Sequence, residues 1–155
     1  MSEIVRLYDD ADRLKAEGKL DEAAAKLHEA LALNESYALA HSALAVVLQR
    51  LGRHDEAIEH ARRVTELEPL DPFSFTALSV TYQRAYAGTQ QMGYIRLAED
   101  AMEQSRLLSQ RRYELASLTS VESRRRALRK LGLRPYDAFV HVGFQHAEGL
   151  FVPLH

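Results

Sequence analysis

Residues 43–57 read Ala43-Leu44-Ala45-Val46-Val47-Leu48-Gln49-Arg50-Leu51-Gly52-Arg53-His54-Asp55-Glu56-Ala57, two helical signals separated by one glycine. Before Gly52, the apolar residues Ala40, Leu44, Val47, Leu48 and Leu51 recur at the spacing of one helix face. Gly52 can take the left-handed conformation that closes a helix at low steric cost. Beyond it, Asp55 and Glu56 put carboxylates at the positive end of a new helix dipole. Ala57, Ile58, Ala61, Val64 and Leu67 continue as a second apolar stripe, and Pro69 stops it. The stretch is the bend of a helical hairpin.

The same bend occurs earlier in the chain. Setting residues 4–37 on residues 38–71 places Ala11 on Ala45, Leu14 on Leu48 and Gly18 on Gly52, without a gap. Asp21-Glu22-Ala23 falls on Asp55-Glu56-Ala57, and Leu33 on Leu67. A third copy starts at Pro72, where Ala77-Leu78-x-Val80-x-x-Gln83-Arg84 repeats Ala43-Leu44-x-Val46-x-x-Gln49-Arg50. After Arg84 the register slips, and the small residue of the second helix arrives as Ala98. The extra residues fall between Tyr86 and Tyr94, a stretch with Gly88, Thr89 and Gly93 that reads as a long connection or a functional loop. Small residues at Ala11, Ala45 and Ser79, facing Ala23, Ala57 and Ala98, permit close antiparallel packing within each hairpin.

The 34-residue period, Leu44-Ala45-x-x-Leu48, Gly52 to Ala57, Ala61 and Pro69 resemble the tetratricopeptide repeat family over residues 4–108. The aromatic expected early in the first helix is Leu7 and His41 in the first two copies and appears only as Phe75, and Glu35 stands where a proline is usual. The resemblance implies an all-α fold, a right-handed superhelix of about three hairpins, with a C-terminal capping helix and a short extended tail. It also implies a concave wall, lined by the first helix of each copy, that binds a peptide or a helix of another protein. Its positions on this chain are Tyr8 and Asp12 in the first copy and Leu39, Ser42, Val46, Gln49 and Arg50 in the second. Phe73, Thr76, Ala77, Val80, Gln83 and Arg84 follow in the third. Family members that clamp the acidic tails of heat-shock chaperones use cationic and amide side chains at places held here by Tyr8, Asp12, Ala43, Phe73 and Ala77. None of these is positive, which argues against that ligand. A groove of Leu39, Val46, Phe73 and Val80, edged by Gln49, Arg50, Gln83 and Arg84, suits an amphipathic helix or an extended apolar segment. Packing between copies is the alternative place for Val46 and Val80.

Composition bounds the rest. The chain has 155 residues, 46% hydrophobic and 27% charged, and no cysteine, which excludes a disulfide scaffold, a thiolate zinc site and a cysteine nucleophile. With no apolar run of membrane-spanning length and no signal-like N-terminus, a cytoplasmic protein without a membrane partner is expected. No Ser-His-Asp set, phosphate loop or nucleotide fingerprint can be placed, so no catalytic residue, cofactor or metal is expected. His141, His146 and His155 are too sparse for a metal site, and His54 and His60 read as surface residues.

Charge is divided. Residues 1–105 carry 11 basic and 18 acidic residues, a net of −7, and residues 106–134 carry nine basic and two acidic, a net of +7. Leu97 to Leu118 reads as a helix. Thr119-x-x-Glu122 has capping-box spacing and opens a basic helix through Leu131, closed by Gly132 and Pro135. Arg124, Arg125, Arg126, Arg129 and Lys130 form its polar face, while Val121, Ala127, Leu128 and Leu131 turn inward. The capping helix belongs to a repeat domain of residues 1–134. The alternative use of those cations is nucleic-acid or anionic-surface binding, opposed by the shortness of the cluster and the acidic remainder. Residues 135–155 form an apolar tail with Tyr136, Phe139, Phe144 and Phe151, expected to pack on the repeats, on a partner, or in a neighbouring copy to make a homodimer. The expected function is that of a non-enzymatic interaction module: a scaffold, adaptor or assembly chaperone.

Overall fold

The computed structural model describes residues 1–118 and 120–134, all helix and turn with no strand. The apolar tail and His141, His146 and His155 lie outside the described residues. Seven helices follow in order: α1 (Glu3–Ala16), α2 (Leu20–Leu33), α3 (Ala38–Arg50), α4 (His54–Leu67), α5 (Pro72–Thr89), α6 (Gly93–Ser117) and α7 (Val121–Lys130). The chain divides into one unit of Met1–Arg106 and a second that begins at Leu107.

The first unit holds the hairpins α1–α2, α3–α4 and the paired α5 with the first part of α6. Gly18 and Gly52 close α1 and α3 with φ of 79° and 76°, the left-handed region that a side chain resists. In both bends the residue after the glycine donates its N–H back across the turn, Lys19 to the Leu14 carbonyl at 2.9 Å and Arg53 to the Leu48 carbonyl at 2.8 Å. That pairing satisfies carbonyls the helix end would otherwise leave open. Asp71 caps α5 by accepting the Phe73 N–H at 3.1 Å, and Pro72 occupies the first turn, where a missing N–H costs nothing.

The third bend departs from the expectation of a loop. The place of Gly52 is taken by Tyr86, so nothing stops the helix there, and α5 runs on to Thr89 before Gln90 turns left-handed at φ 61°. The inserted residues have become additional helix, with only a short link to Gly93. Gly88 in this extension lies so close to the His54 ring that a Cβ there would collide with it. Gly88→Ala is therefore expected to destabilise the chain by about 1 kcal/mol through steric displacement. In a His54→Ala background the same change is expected to stabilise by about 0.5 kcal/mol, because alanine is the better helix former. Urea denaturation of the four proteins measures the cycle, and additive effects would remove the close contact.

Packing follows the small residues. Ala11, Ala23, Ala45, Ala57, Ser79 and Ala98 are all buried, as the repeat requires. One core gathers Ala11, Ala23, Ala24 and Leu27 with Ala40, Leu44, Val47, Leu48 and Ala57, joining the first two hairpins. A second joins Ala45, Ile58 and Ala61 to Leu78, Tyr82, Ala85, Ala98 and Ala101. Ser79 replaces alanine without leaving a bare hydroxyl, since its Oγ donates to the Ala98 carbonyl at 2.7 Å.

In the second unit, α7 is capped by Ser120, whose Oγ accepts the Ser123 N–H at 3.0 Å, in place of the cap expected at Thr119. Gly132 ends the segment at φ 69°. Leu128 is buried, but Val121, expected to turn inward, is 57% exposed.

Candidate functional site

Leu39 and Val46 stand two turns apart on α3, and Phe73 and Val80 stand two turns apart on α5, at the same places in successive repeats. All four are exposed, at 53%, 46%, 68% and 39%. Their helix neighbours Leu44, Val47 and Leu48 are fully buried and Leu78 nearly so, so each first helix turns one apolar face into the core and keeps a second outside. Because α3 touches both α1 and α5, the two apolar pairs lie on adjoining first helices. Ser42, Ala77, Gln83 and the basic residues Arg50 and Arg84 are also exposed, with Gln49 half-buried.

The first repeat contributes differently. Val5 is half-buried, and Asp12 occupies the place of Val46 and Val80, paired with Lys15 at 2.7 Å. Tyr8, Asp12, Lys15 and Ala43 meet over Leu27 and Val47 in a depression between α1 and α3 that has no room for a water molecule. Tyr8 meets Tyr37 edge to face at 6.1 Å between ring centroids. The apolar row thus ends in an ion pair at its α1 side. Thr76 is half-buried: its hydroxyl lies 3.2 Å from the Pro72 carbonyl, which accepts from it, and 2.8 Å from the Ser105 Oγ, tying α5 to α6. Gln83 donates from Nε2 to the Ser79 Oγ at 3.3 Å.

A histidine cluster escaped the sequence reading, which put His60 on the surface. His41 is buried on α3, in a position usually given to an aromatic ring. Its Nε2 is 2.7 Å from the Glu35 carbonyl, which can only accept, so Nε2 carries a proton. His60 Nδ1 lies 2.9 Å from His41 Nδ1, and the two nitrogens share one hydrogen bond. The rings of His28 and His60 approach to 5.8 Å between centroids, and Glu56 adds a negative charge from α4. Burial, and then the neighbouring His41 and His28, depress the pKa of His60 to about 4, with Glu56 opposing the shift. The only sequence signal was a polar ring in an aromatic's place. His54 is likewise half-buried rather than a surface residue, and among the described residues its Nδ1 has no hydrogen-bond partner. Among the described residues no group of three His, Asp or Glu is arranged to hold a metal ion.

A base whose pKa is lower in the folded chain than in the unfolded one loses stability as pH falls. The unfolded state protonates near pH 6.5, and the folded state resists until about pH 4. The stability present above pH 6.5 is therefore expected to fall by about 1–2 kcal/mol across that window, after discounting for the half of the ring that water reaches. His60→Gln is expected to flatten this part of the profile in urea melts taken from pH 7 to 4. An unchanged slope would assign the loss to other groups.

The five cations of α7, Arg124, Arg125, Arg126, Arg129 and Lys130, are all exposed. Arg124 also donates from Nε to the Leu118 carbonyl at 2.8 Å. Among the described residues no helix is long and apolar enough to cross a membrane.

Residues 11–52 match the family described as TPR repeat, and residues 38–71 match the family described as Tetratricopeptide repeat. Residues 11–71 thus carry tetratricopeptide repeats, and these repeats support a protein–protein interaction module. The fold of the chain is similar to two crystal structures of MamA. One has a TM-score of 0.62 over 72% of this chain and 61% of that one, the other a TM-score of 0.63 over 76% and 60%, both at 22% identity. The chain thus spans about three fifths of the length of either. No curated protein matches the sequence.

Proposed function

We propose that the chain is a non-enzymatic adaptor or scaffold that holds a peptide or an amphipathic helix of another protein along α3 and α5. The observation that carries this reading is the row Leu39, Val46, Phe73 and Val80, four exposed apolar side chains at equivalent places in adjoining hairpins. An isolated exposed leucine needs no explanation, but a periodic row of them across two first helices does. Arg50 and Arg84 edge the row, so the ligand suited to it has apolar side chains on one face and acidic residues beside them. The Asp12–Lys15 pair ends the apolar part towards α1. Such a ligand is gripped by rigid helices and loses little to reorganisation of the receptor.

Selection of a displayed random-peptide library on the full chain tests this. Enriched sequences are expected to pair apolar and acidic residues and to lose binding to Leu39→Ala and Phe73→Ala. Enrichment that ignores both substitutions would defeat the proposal. A second reading follows from the fully exposed cationic face of α7, which fits polyanions. Salt separates the two: binding through α7 collapses between low and moderate ionic strength, whereas binding along α3 and α5, carried mainly by apolar contact, weakens far less.

A further inference from the structure

Within the first unit, no further helix covers the end of the third hairpin. Between α5 and the first part of α6 lies a depression of about 300 Å³ lined by Ser79, Gln83, Tyr86, Ile95, Glu99 and Met102. Repeat equivalence identifies it. Ser79 stands where Ala45 stands one hairpin earlier, and the match of Ala98 to Ala57 puts Glu99 at the place of Ile58 and Met102 at that of Ala61. In the second hairpin Ala45, Ile58 and Ala61 are covered by the next helix, α5, through Leu78 and Tyr82. After α4 the chain turns at Glu68–Asp71 and α5 begins at once. After Met102, by contrast, α6 continues to Ser117, so no following helix begins within one turn of that face. Met102 is accordingly 41% exposed, where Ala61 is 4% exposed.

The geometry points to this face as a docking site for an amphipathic helix of a partner protein, seated as α5 is seated on the second hairpin. The helix carries an aliphatic and an aromatic side chain four residues apart, as Leu78 and Tyr82 are, with a lysine or arginine opposite Glu99. The charge requirement follows from register. Gly88 lies against His54, and the Tyr82 hydroxyl accepts from Arg62 Nε at 2.8 Å, which brings Ala85 to the level of Ile58. The residue at the place of Ala85 in an incoming helix then faces Glu99, whose carboxylate would be buried beside an apolar partner at a cost that a cation removes. The first helix of a second copy is a poor occupant, because α1 has Asp10 where α3 and α5 have Leu44 and Leu78.

The probe is a labelled, helix-stapled peptide with the sequence of residues 72–89 and Ala85→Lys, titrated into the full chain by fluorescence anisotropy. Saturable binding at micromolar concentration is expected, weakened by about tenfold or more in Met102→Asp and in Glu99→Lys. The matching peptide with Ala85→Glu is expected to recover binding to Glu99→Lys, which a misfolded variant would not do. Phe73→Ala is expected to leave the titration unchanged, so failure of the α3–α5 row and failure of this face are distinguishable. Absence of saturable binding, or equal binding by both variants, overturns the proposal. So does a dimer in sedimentation that Met102→Asp dissolves, which would give the face to a second copy. Binding only to a chain cut before Tyr136 would assign it to the chain's own C-terminal segment and overturn it as well.

Discussion

Leu48→Ala is expected to lower the stability of the chain by about 3–4 kcal/mol, while Leu39→Ala, the same chemical change nine residues earlier, is expected to cost less than about 0.5 kcal/mol. Leu48 is fully buried in the core shared by the first two hairpins. Removing its isobutyl group loses the transfer energy and leaves a cavity that the surrounding helices cannot close, because the neighbouring alanines have no side-chain length to move into it. For a chain of this size the loss corresponds to about 10 °C in melting temperature. Leu39 is more than half exposed, and its truncation mainly removes surface that water already reaches. Circular-dichroism melts of both variants are the measurement. Similar losses at the two positions would mean that α3 does not present one face inward and another outward.

Phe73→Ala is expected to reverse that contrast. With 68% of its surface exposed, Phe73 adds little to the free chain, so the melt should move by no more than about 0.5 kcal/mol. Against a peptide selected on the full chain, the same substitution is expected to weaken binding by about 30-fold or more. That factor corresponds to about 2 kcal/mol, a common value for an aromatic side chain at the centre of an interface. A ring offers a large contact area with only two side-chain torsions to immobilise, so its burial is opposed by little entropy. Isothermal titration of the variant decides the matter, and an unchanged dissociation constant would remove Phe73 from the interface. Asp12→Ala, at the place on α1 that Val46 and Val80 hold in the later repeats, should matter less, because Asp12 is already engaged with Lys15.

The hairpins were legible in the chain because each bend is written twice, in Gly18 and Gly52, and each small-residue contact three times. Leu39, Val46, Phe73 and Val80 were set along the groove by resemblance, with Val46 and Val80 left open to packing between copies, and it is the structure that leaves all four exposed. Thr76 was placed among the groove residues by analogy, and the structure engages its hydroxyl with Ser105, a residue whose position depends on the slip in register after Arg84. The third bend was misread because glycine and threonine at 88, 89 and 93 resemble loop chemistry. What matters there is the missing glycine at 86, without which α5 has no left-handed stop. The cap of α7 is Ser120, one residue beyond the expected Thr119, because the Ser120 Oγ accepts the Ser123 N–H.

Periodicity by itself determined the all-helical hairpins, their number, and which face of each helix is apolar, because these depend on residues a few positions apart along one chain. The tertiary structure alone decided that His41 and His60 share a hydrogen bond, that Gly88 lies against His54, and that no helix of the first unit covers the face of Ser79, Glu99 and Met102. Each of those depends on how two helices from different parts of the sequence are set against each other, and a one-residue change in that setting would separate the groups without altering the pattern that made the helices.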